Sequence, residues 1–382
     1  MRKRRWLLAS LLLLPAAMSV AAQEAPKIES LPSPVTVRLR GLSAVDANIA
    51  WASGREGTVL RTVDAGKTWS VFKLPGAEKL DFRDVEGFSA DEAVILSIGP
   101  GEDSRVYRTE DGGRTWQLTL QNRDPKVFFD CFDFDGNEGR LLGDPVDGRF
   151  QLLATKDGGQ SWSALQGPGA LEGEAAFAAS GGCVRFVQQS GLIVIVSGGN
   201  APRMHWRREI ADLEPKWLAS EIEGGSKSPT AGYFSIAFGR FGPFAVGGDF
   251  QKENDAGRAM QLAQGIIHFG VDTGRTRPAH TTRSENDEIY VPERKVKRIE
   301  ASMFLSPSVV AAPRGYRSGA ACHVENPVCI ATGPSGSDAW DGERWSMIEG
   351  AGYDSVDVAG DVFWFSGDGG RLGRLVMPAE QE

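Results

Sequence analysis

RTVDAGKTW (61–69), RTEDGGRTW (108–116) and ATKDGGQSW (154–162) are three near copies of one nine-residue segment. The Asp-x-Gly-x-Thr/Ser-Trp pattern returns 47 residues on, from Asp64 to Asp111, and then 46 on, at Asp157. A self-similarity of about 40–50 residues is the period of one four-stranded propeller blade. The chain therefore reads as an all-β ring, and every other segment is placed by its distance from these marks.

The motif explains its own residue types. Asp followed two residues later by Gly is hairpin-turn chemistry: the carboxylate accepts N–H groups of its own turn, and Gly takes a positive φ without steric cost. Thr or Ser opens the outgoing strand, and Trp packs its ring on a neighbour. Asp64, Gly66, Thr68 and Trp69, then Asp111, Gly113, Thr115 and Trp116, then Asp157, Gly159, Ser161 and Trp162 are thus read as structural. Such aspartates sit on different blades and do not converge on one substrate.

Weaker copies follow. Asp212 reaches Trp217, Asp272 meets Arg277 where Trp would stand, and Asp341 reaches Trp345 one residue early. With the tail 355–375 as the first part of a last blade, the count is seven. Its outer strand is expected from PSPVTVR (32–38), so that the N-terminal strand closes the ring and removes an open edge. The expected organisation is a signal peptide over 1–22, a linker over 23–32 and a single seven-bladed β-propeller over 33–378. The stretch 251–311 holds few clean strand signals. Its basic run ERKVKR (293–298) reads as a solvated loop, with a partner-docking loop as the sharper alternative.

Residues 1–22 carry a basic start (Arg2, Lys3, Arg4, Arg5), an apolar run from Trp6 to Leu14 and a small-residue cleavage site at Val20-Ala21-Ala22. This predicts an exported protein, periplasmic or secreted, by the general or the twin-arginine route. No later run approaches the ~18 apolar residues of a membrane span. Cleavage would remove four of the 42 Lys and Arg and none of the 50 Asp and Glu, moving the net charge from −8 to −12. Such an acidic chain argues against nucleic acid as a partner.

The four cysteines form an even set in an exported chain, which predicts disulfides. Cys322 and Cys329 flank HVENPV, where a four-residue loop would set them opposite each other. That leaves Cys131 and Cys183 to pair across adjacent blades. A metal site at Cys322, His323 and Cys329 would lack a fourth ligand at zinc spacing. Neither a metal nor a cofactor is expected. The glycine runs SGGNAP (197–202) and SGDGGRLG (366–373) do not open a helix after a strand, as a dinucleotide site requires.

The motif resembles the Asp-box, or bacterial neuraminidase repeat, of sialidases, xyloglucan-cleaving enzymes and sortilin-type receptors. WASGREGTVLRTVDAGKTW (51–69) narrows the likeness to the photosystem II stability/assembly factor-like propellers, a family with a branch in non-photosynthetic bacteria. FFDCFDF (128–134), GDPVDGRF (143–150), EAAFAAS (174–180), GYFSIAF (232–238), GGDF (247–250) and GYRSGAA (315–321) extend it over most of 38–375. The resemblance implies a non-enzymatic, chaperone- or assembly-type scaffold for an exported or membrane protein, with a basic patch in partner contact. Arg203, Arg207, Arg208, Arg317 and the ERKVKR run are the candidates for that patch.

The alternative is a glycoside hydrolase of sialidase-like or xyloglucanase-like type, with carbohydrate as its ligand. Asp144, Asp147, Glu174 and Asp249 fall at comparable inter-strand positions and are the candidate carboxylates. A sialidase-like site also needs three converging arginines and a Tyr–Glu pair. Tyr316 and Arg317 are adjacent, but VRLRGL (37–42) is a poor substitute for the expected Arg-Ile-Pro segment. Within GDPVDGRF, Asp144, Asp147 and Arg149 form the best single candidate for a loop at the channel mouth.

Overall fold

Seven antiparallel sheets, six of them four-stranded and that of blade five six-stranded, succeed one another around a ring in a computed structural model of the chain. It describes residues 26–209, 216–222, 227–240, 242–277, 280–284, 287–291 and 294–377, with side chains described outside 262–307. The expected signal peptide (1–22), Asp212 and Glu293 lie outside the described residues. So do the side chains of Asp272, Arg277 and the rest of the ERKVKR run.

The innermost strands are Leu39–Ala44, Asp81–Gly87, Phe129–Asp135, Val184–Val187, Ser228–Gly239, Gly319–Cys322 and Ser355–Ala359 for blades one to seven. Each packs on the next, and the last packs on the first. The outer strand of blade seven is Glu29–Leu31, antiparallel to Leu372–Val376. The N-terminal closure is thus as expected in kind, but the strand is Glu29–Leu31 and not 32–38. Those residues instead lead into Leu39, whose N–H reaches the Gly367 carbonyl at 3.1 Å.

The three motif copies make the same bonds. In the first, the Thr68 N–H donates to Asp64 Oδ1 at 2.9 Å and the Thr68 hydroxyl to Oδ2 at 2.6 Å. The Thr62 hydroxyl donates to Asp64 and accepts the Gly66 N–H at 3.0 Å. Gly66 has φ 82°, and a Cβ there would stand 2.6 Å from Leu31 of blade seven. Asp111 and Asp157 repeat the set. Trp69 lies edge-on to Trp364 at 6.1 Å, and Trp116 edge-on to Trp51 at 6.2 Å, each on the preceding blade. The motif therefore serves two ends, closing its own hairpin and docking one blade on another.

At the axis every junction between blades carries a polar stitch. Ser43, Asp84, Asp133, Ser235 and Asp357 each accept a backbone N–H of the next inner strand, from Gly87, Phe132, Phe186, Ala320 and Ala44, at 2.7 to 3.1 Å. Arg185 donates to the Ile236 carbonyl at 2.8 Å and the Ser318 hydroxyl to that of Asp354 at 2.6 Å. The Cys131–Cys183 disulfide adds a covalent link between blades three and four, and Cys322–Cys329 joins directly paired residues within blade six.

Blade five departs from expectation. Asp272 and Arg277 do not form a motif hairpin, because they lie in one strand, Arg258–Arg277, paired with Arg294–Val309. Only Arg258 to Gln261 pair with the blade's second strand, and a short hairpin, His280–Ser284 with Asp287–Val291, follows. The region read as a loop is an extended β-hairpin. With the Trp replaced by Arg277 and no tight turn, nothing in the local sequence stops the ladder.

Candidate functional site

Four innermost strands carry a β-bulge at the same place. Pairing with the second strand skips Arg40 in blade one, Arg83 in blade two, Asp130 in blade three and Phe234 in blade five. A bulged residue leaves the ladder and its side chain is re-aimed, which is why bulges gather beside binding sites. All four residues line one vestibule of about 520 Å³ at the channel mouth where the inner strands begin.

Blade four supplies the floor. Glu174–Ala175 pairs with Gly198–Gly199, and the chain then crosses the axis before its inner strand starts. Ala176 N–H donates to Asp144 at 3.0 Å, Arg83 to the Ala178 carbonyl at 2.7 Å and the Ser180 hydroxyl to the Ser318 carbonyl at 2.6 Å. Ile236 N–H donates to the Gly182 carbonyl at 2.8 Å. This crossing divides the channel. Ala175 to Ala179 face the vestibule, and Ser180 and Gly181 face a second space of about 310 Å³ at the other mouth.

The vestibule has two unlike walls. Arg38, Arg40 and Arg83 stand on one side, while Phe128, Phe177, Phe234, Phe250 and Tyr316 supply apolar surface. Phe177 stacks on Phe234 at 4.4 Å, and Tyr316 meets Phe234 edge-on at 4.9 Å. Arg38 is clamped by both oxygens of Asp354, at 2.9 and 2.5 Å. Arg83 is held by Asp81 at 3.0 Å and by the Ala178 carbonyl. Arg40 has no hydrogen bond or ion pair to a described residue, and its buried Nε is unsatisfied. Burial, aided by like-charged Arg83 and Arg38, pushes its guanidinium down to about 10. A strongly perturbed, unpartnered cation in a cleft is the mark of a binding group.

Asp130 and Asp144 also line the vestibule. Asp130 is 2% exposed with Oδ2 unsatisfied, and burial raises its carboxyl well above the usual range. Burial raises Asp144 to about 6.

Of the four candidate carboxylates only Asp144 reaches this space, so the convergence that a hydrolase would need does not occur. Asp147 sits exposed at φ 51° on the hairpin tip, 3.6 Å from Lys126, and Arg149 donates to the Gly167 carbonyl at 2.7 Å. Glu174 is buried under Arg203, His205 and Ser197, at 2.5, 2.7 and 2.6 Å. Against desolvation, hydrogen bonds from His205, Arg203 and Ser197 hold its carboxyl down to about 2. Asp249 accepts from the Thr230 hydroxyl at 2.7 Å and the Gln251 N–H at 3.0 Å.

The expected basic patch is likewise occupied. Arg203 is bound to Glu174, Arg207 to Glu209 at 2.5 Å, and Arg208 to the Ser190 carbonyl at 2.7 Å. Arg317 is 1% exposed and is spent on Asp338. Tyr316 does line the vestibule, yet burial pushes its hydroxyl up, opposite to what a tyrosine nucleophile needs. With Arg38 committed to Asp354, the residue types of a sialidase are present without the required states.

The arginines that matter were in VRLRGL and FRD, and Asp130 was in FFDCFDF. Their signal was a shared register: LRGLS, FRDVE, FDCFD and YFSIA align at the bulge.

The second space is acidic. Asp84, Glu86, Asp133 and Asp357 surround Arg185. Burial raises all four carboxyls, Asp84 to about 8. Among the described residues no cluster is arranged to hold a metal ion, and no helix is long and apolar enough to cross a membrane.

Residues 84–213 match the family model described as photosynthesis system II assembly factor YCF48. The chain matches no curated protein in sequence. In fold it is similar to a solved structure described as YCF48 bound to D1 peptide, with 16% identity and TM-score 0.57, covering 95% of this chain and 100% of that one. It is also similar to YCF48 from Cyanidioschyzon merolae, with 16% identity and TM-score 0.54 over 92% and 99% of the two chains. A chain of the mitotic checkpoint complex shares the fold at 11% identity and TM-score 0.54, over 98% and 99%. The chain is a seven-bladed propeller that resembles the photosystem II assembly factors in sequence over residues 84–213 and is similar to them in fold around the ring.

Proposed function

We propose that this chain is an exported, non-enzymatic binding module of the chaperone or assembly type, and that its vestibule receives a segment of another exported or membrane protein. The observation that carries this reading is Arg40, a half-buried guanidinium with a covered, unsatisfied Nε and no partner among the described residues, facing a space of about 520 Å³. That volume lies within the usual ~300–1,000 Å³ of ligand sites. Opposed cationic and aromatic walls fit a peptide that places an acidic group beside an apolar side chain. The family member solved with a bound peptide supports a peptide as the ligand class.

A glycosidase reading finds less support. Two carboxyl groups must flank a sugar from opposite sides, whereas Asp130 and Asp144 lie on adjacent strands of one blade and Asp354 is locked by Arg38.

The test is selection from a displayed peptide library by the mature protein, followed by affinity measurement on the selected sequences. Enrichment of peptides pairing an acid with an apolar residue, and their loss in Arg40→Met, is the expected result. Hydrolysis of a glycan panel that disappears in Asp144→Asn would overturn the proposal.

A further inference from the structure

We propose that Asp130 and Asp144 share a proton and that this proton links ligand binding in the vestibule to pH, admitting an anionic group beside Arg40 when held and opposing it when lost. The inference rests on the vestibule being a binding site.

The placement is specific. Asp130 is the bulged residue of blade three's inner strand, and Asp144 follows Gly143, the partner of Phe129, on the adjoining strand. The Asp144 N–H donates to the Phe128 carbonyl at 2.9 Å, so the two carboxyls flank one bulge. Neither is in an ion pair with a described residue. The N–H groups of Ala178 and Asp144 approach Asp130, yet its Oδ2, covered by protein, has no partner. The Ala176 N–H binds Asp144 Oδ1. Two carboxyl groups in one largely buried site resist ionising together, and their titration belongs to the pair.

The surrounding charges leave that proton decisive. Blade two contributes Arg83, which favours ionised Asp130 but is itself shared with Asp81 and the Ala178 carbonyl. Blade one contributes Arg38 and Arg40, and blade seven contributes Asp354, which neutralises Arg38. Glu253 and Tyr316 complete the mouth from blades five and six, and no histidine among the described residues lines it. With Arg38 and Arg83 matched, Arg40 is the cation left to a ligand among the described residues, and the charge on the Asp130–Asp144 pair opposes any anion that approaches it. Burial holds both carboxyls in the protonated form to higher pH than usual.

The experiment uses the mature protein and two probes, N-acetylphenylalanine and its amide. The free acid carries an anion and a ring, and its carboxyl, near 3.5, stays ionised from about pH 5 to 8. Titration calorimetry in buffers of different ionisation enthalpy reads affinity and proton uptake together. At pH values where the free pair has lost its proton, the acid should bind with uptake approaching one proton, and its Kd should there rise by up to about tenfold per pH unit. The amide should bind weakly and without that dependence. Asp130→Asn, and independently Asp144→Asn, should abolish the pH dependence and retain tight binding at about pH 8.

Binding of the acid with no proton uptake at any pH from about 5 to 8, or an unchanged pH profile in both variants, would overturn the inference and leave the binding reading standing. Failure of the acid to bind at about pH 5 would count against the binding reading, and infrared spectroscopy then decides the proton alone. A protonated-carboxyl band near neutral pH that is lost in Asp130→Asn supports the shared proton, and its absence from the wild-type protein refutes it.

Discussion

Arg40→Met should make the ring more stable and the binding site useless. The folded protein holds the Arg40 guanidinium at about 10, from an ordinary 12.5. At about 1.4 kcal/mol per unit the charged side chain costs the fold roughly 3 kcal/mol. A cation whose folded value is depressed destabilises wherever it is charged, so the cost is full at every pH below about 10 and disappears only at extreme alkalinity. Methionine keeps an unbranched apolar stem and removes the charge. Some of the gain is lost to repacking, which leaves an expected stabilisation of about 1–3 kcal/mol, read as a higher midpoint in guanidinium unfolding followed by tryptophan fluorescence. Peptide affinity should fall at least tenfold, the scale of one charge-assisted contact. The opposite signs are the point. A variant less stable than wild type would show that Arg40 has a structural partner. A stabilised variant with unchanged affinity would show that the vestibule does not use its cation.

Arg317→Ala should behave in reverse. Both Arg317 and Asp338 are buried, so truncation leaves the carboxylate with half-exposed Arg314 and costs about 3–5 kcal/mol, while ligand affinity of the folded fraction is kept. Thermal unfolding and calorimetry at low temperature check the two halves. Asp84→Asn probes the acidic end of the channel. Burial raises the folded carboxyl to about 8, against about 3.8 unfolded, so the native state holds the proton more tightly in that window. Stability is then full at low pH and declines as pH rises toward 8, by up to about 1.4 kcal/mol per unit for one proton. The asparagine oxygen still accepts the Phe132 N–H, so the variant should lose that slope and be the more stable protein at about pH 8. Denaturant midpoints across the range decide it, and an unchanged slope would refute the assignment.

The ring was legible because its signal is local and repeated. Asp, Gly, Thr and Trp at fixed offsets report a hairpin whose carboxylate and hydroxyl bonds close within nine residues, and three good copies suffice to set the period. The disulfide in blade six was legible for the same reason, since Cys322 and Cys329 are placed by one turn. What escaped was non-local. PSPVTVR looks more like a strand than ESL does, and only the path of the closing chain makes Glu29–Leu31 the outer strand. Glu174 stood at a favourable position in the sequence, but its role depends on Arg203 and His205, some thirty residues away and contributed by another strand. The site arginines failed a motif test borrowed from sialidases, because Arg38 and Arg40 are spaced for a bulged strand and not for an Arg-Ile-Pro loop.

The bulge also accounts for how a repeated fold carries a single site. A residue inside the ladder must satisfy its partners on both sides, so equivalent positions in successive blades stay apolar: Leu39, Phe82, Phe129 and Tyr233 are all buried. The next residue in each strand is excused from pairing and turned to the axis, where the requirements of the sheet no longer apply. There the four blades hold Arg40, Arg83, Asp130 and Phe234, two cations, a carboxyl and an aromatic ring at one level of the channel. The repeat fixes where those side chains go and leaves open what they are. Exchanging residues at the four bulges should therefore change what the vestibule binds while the blade-to-blade stitches at Ser43, Asp84, Asp133 and Ser235 hold the ring unchanged.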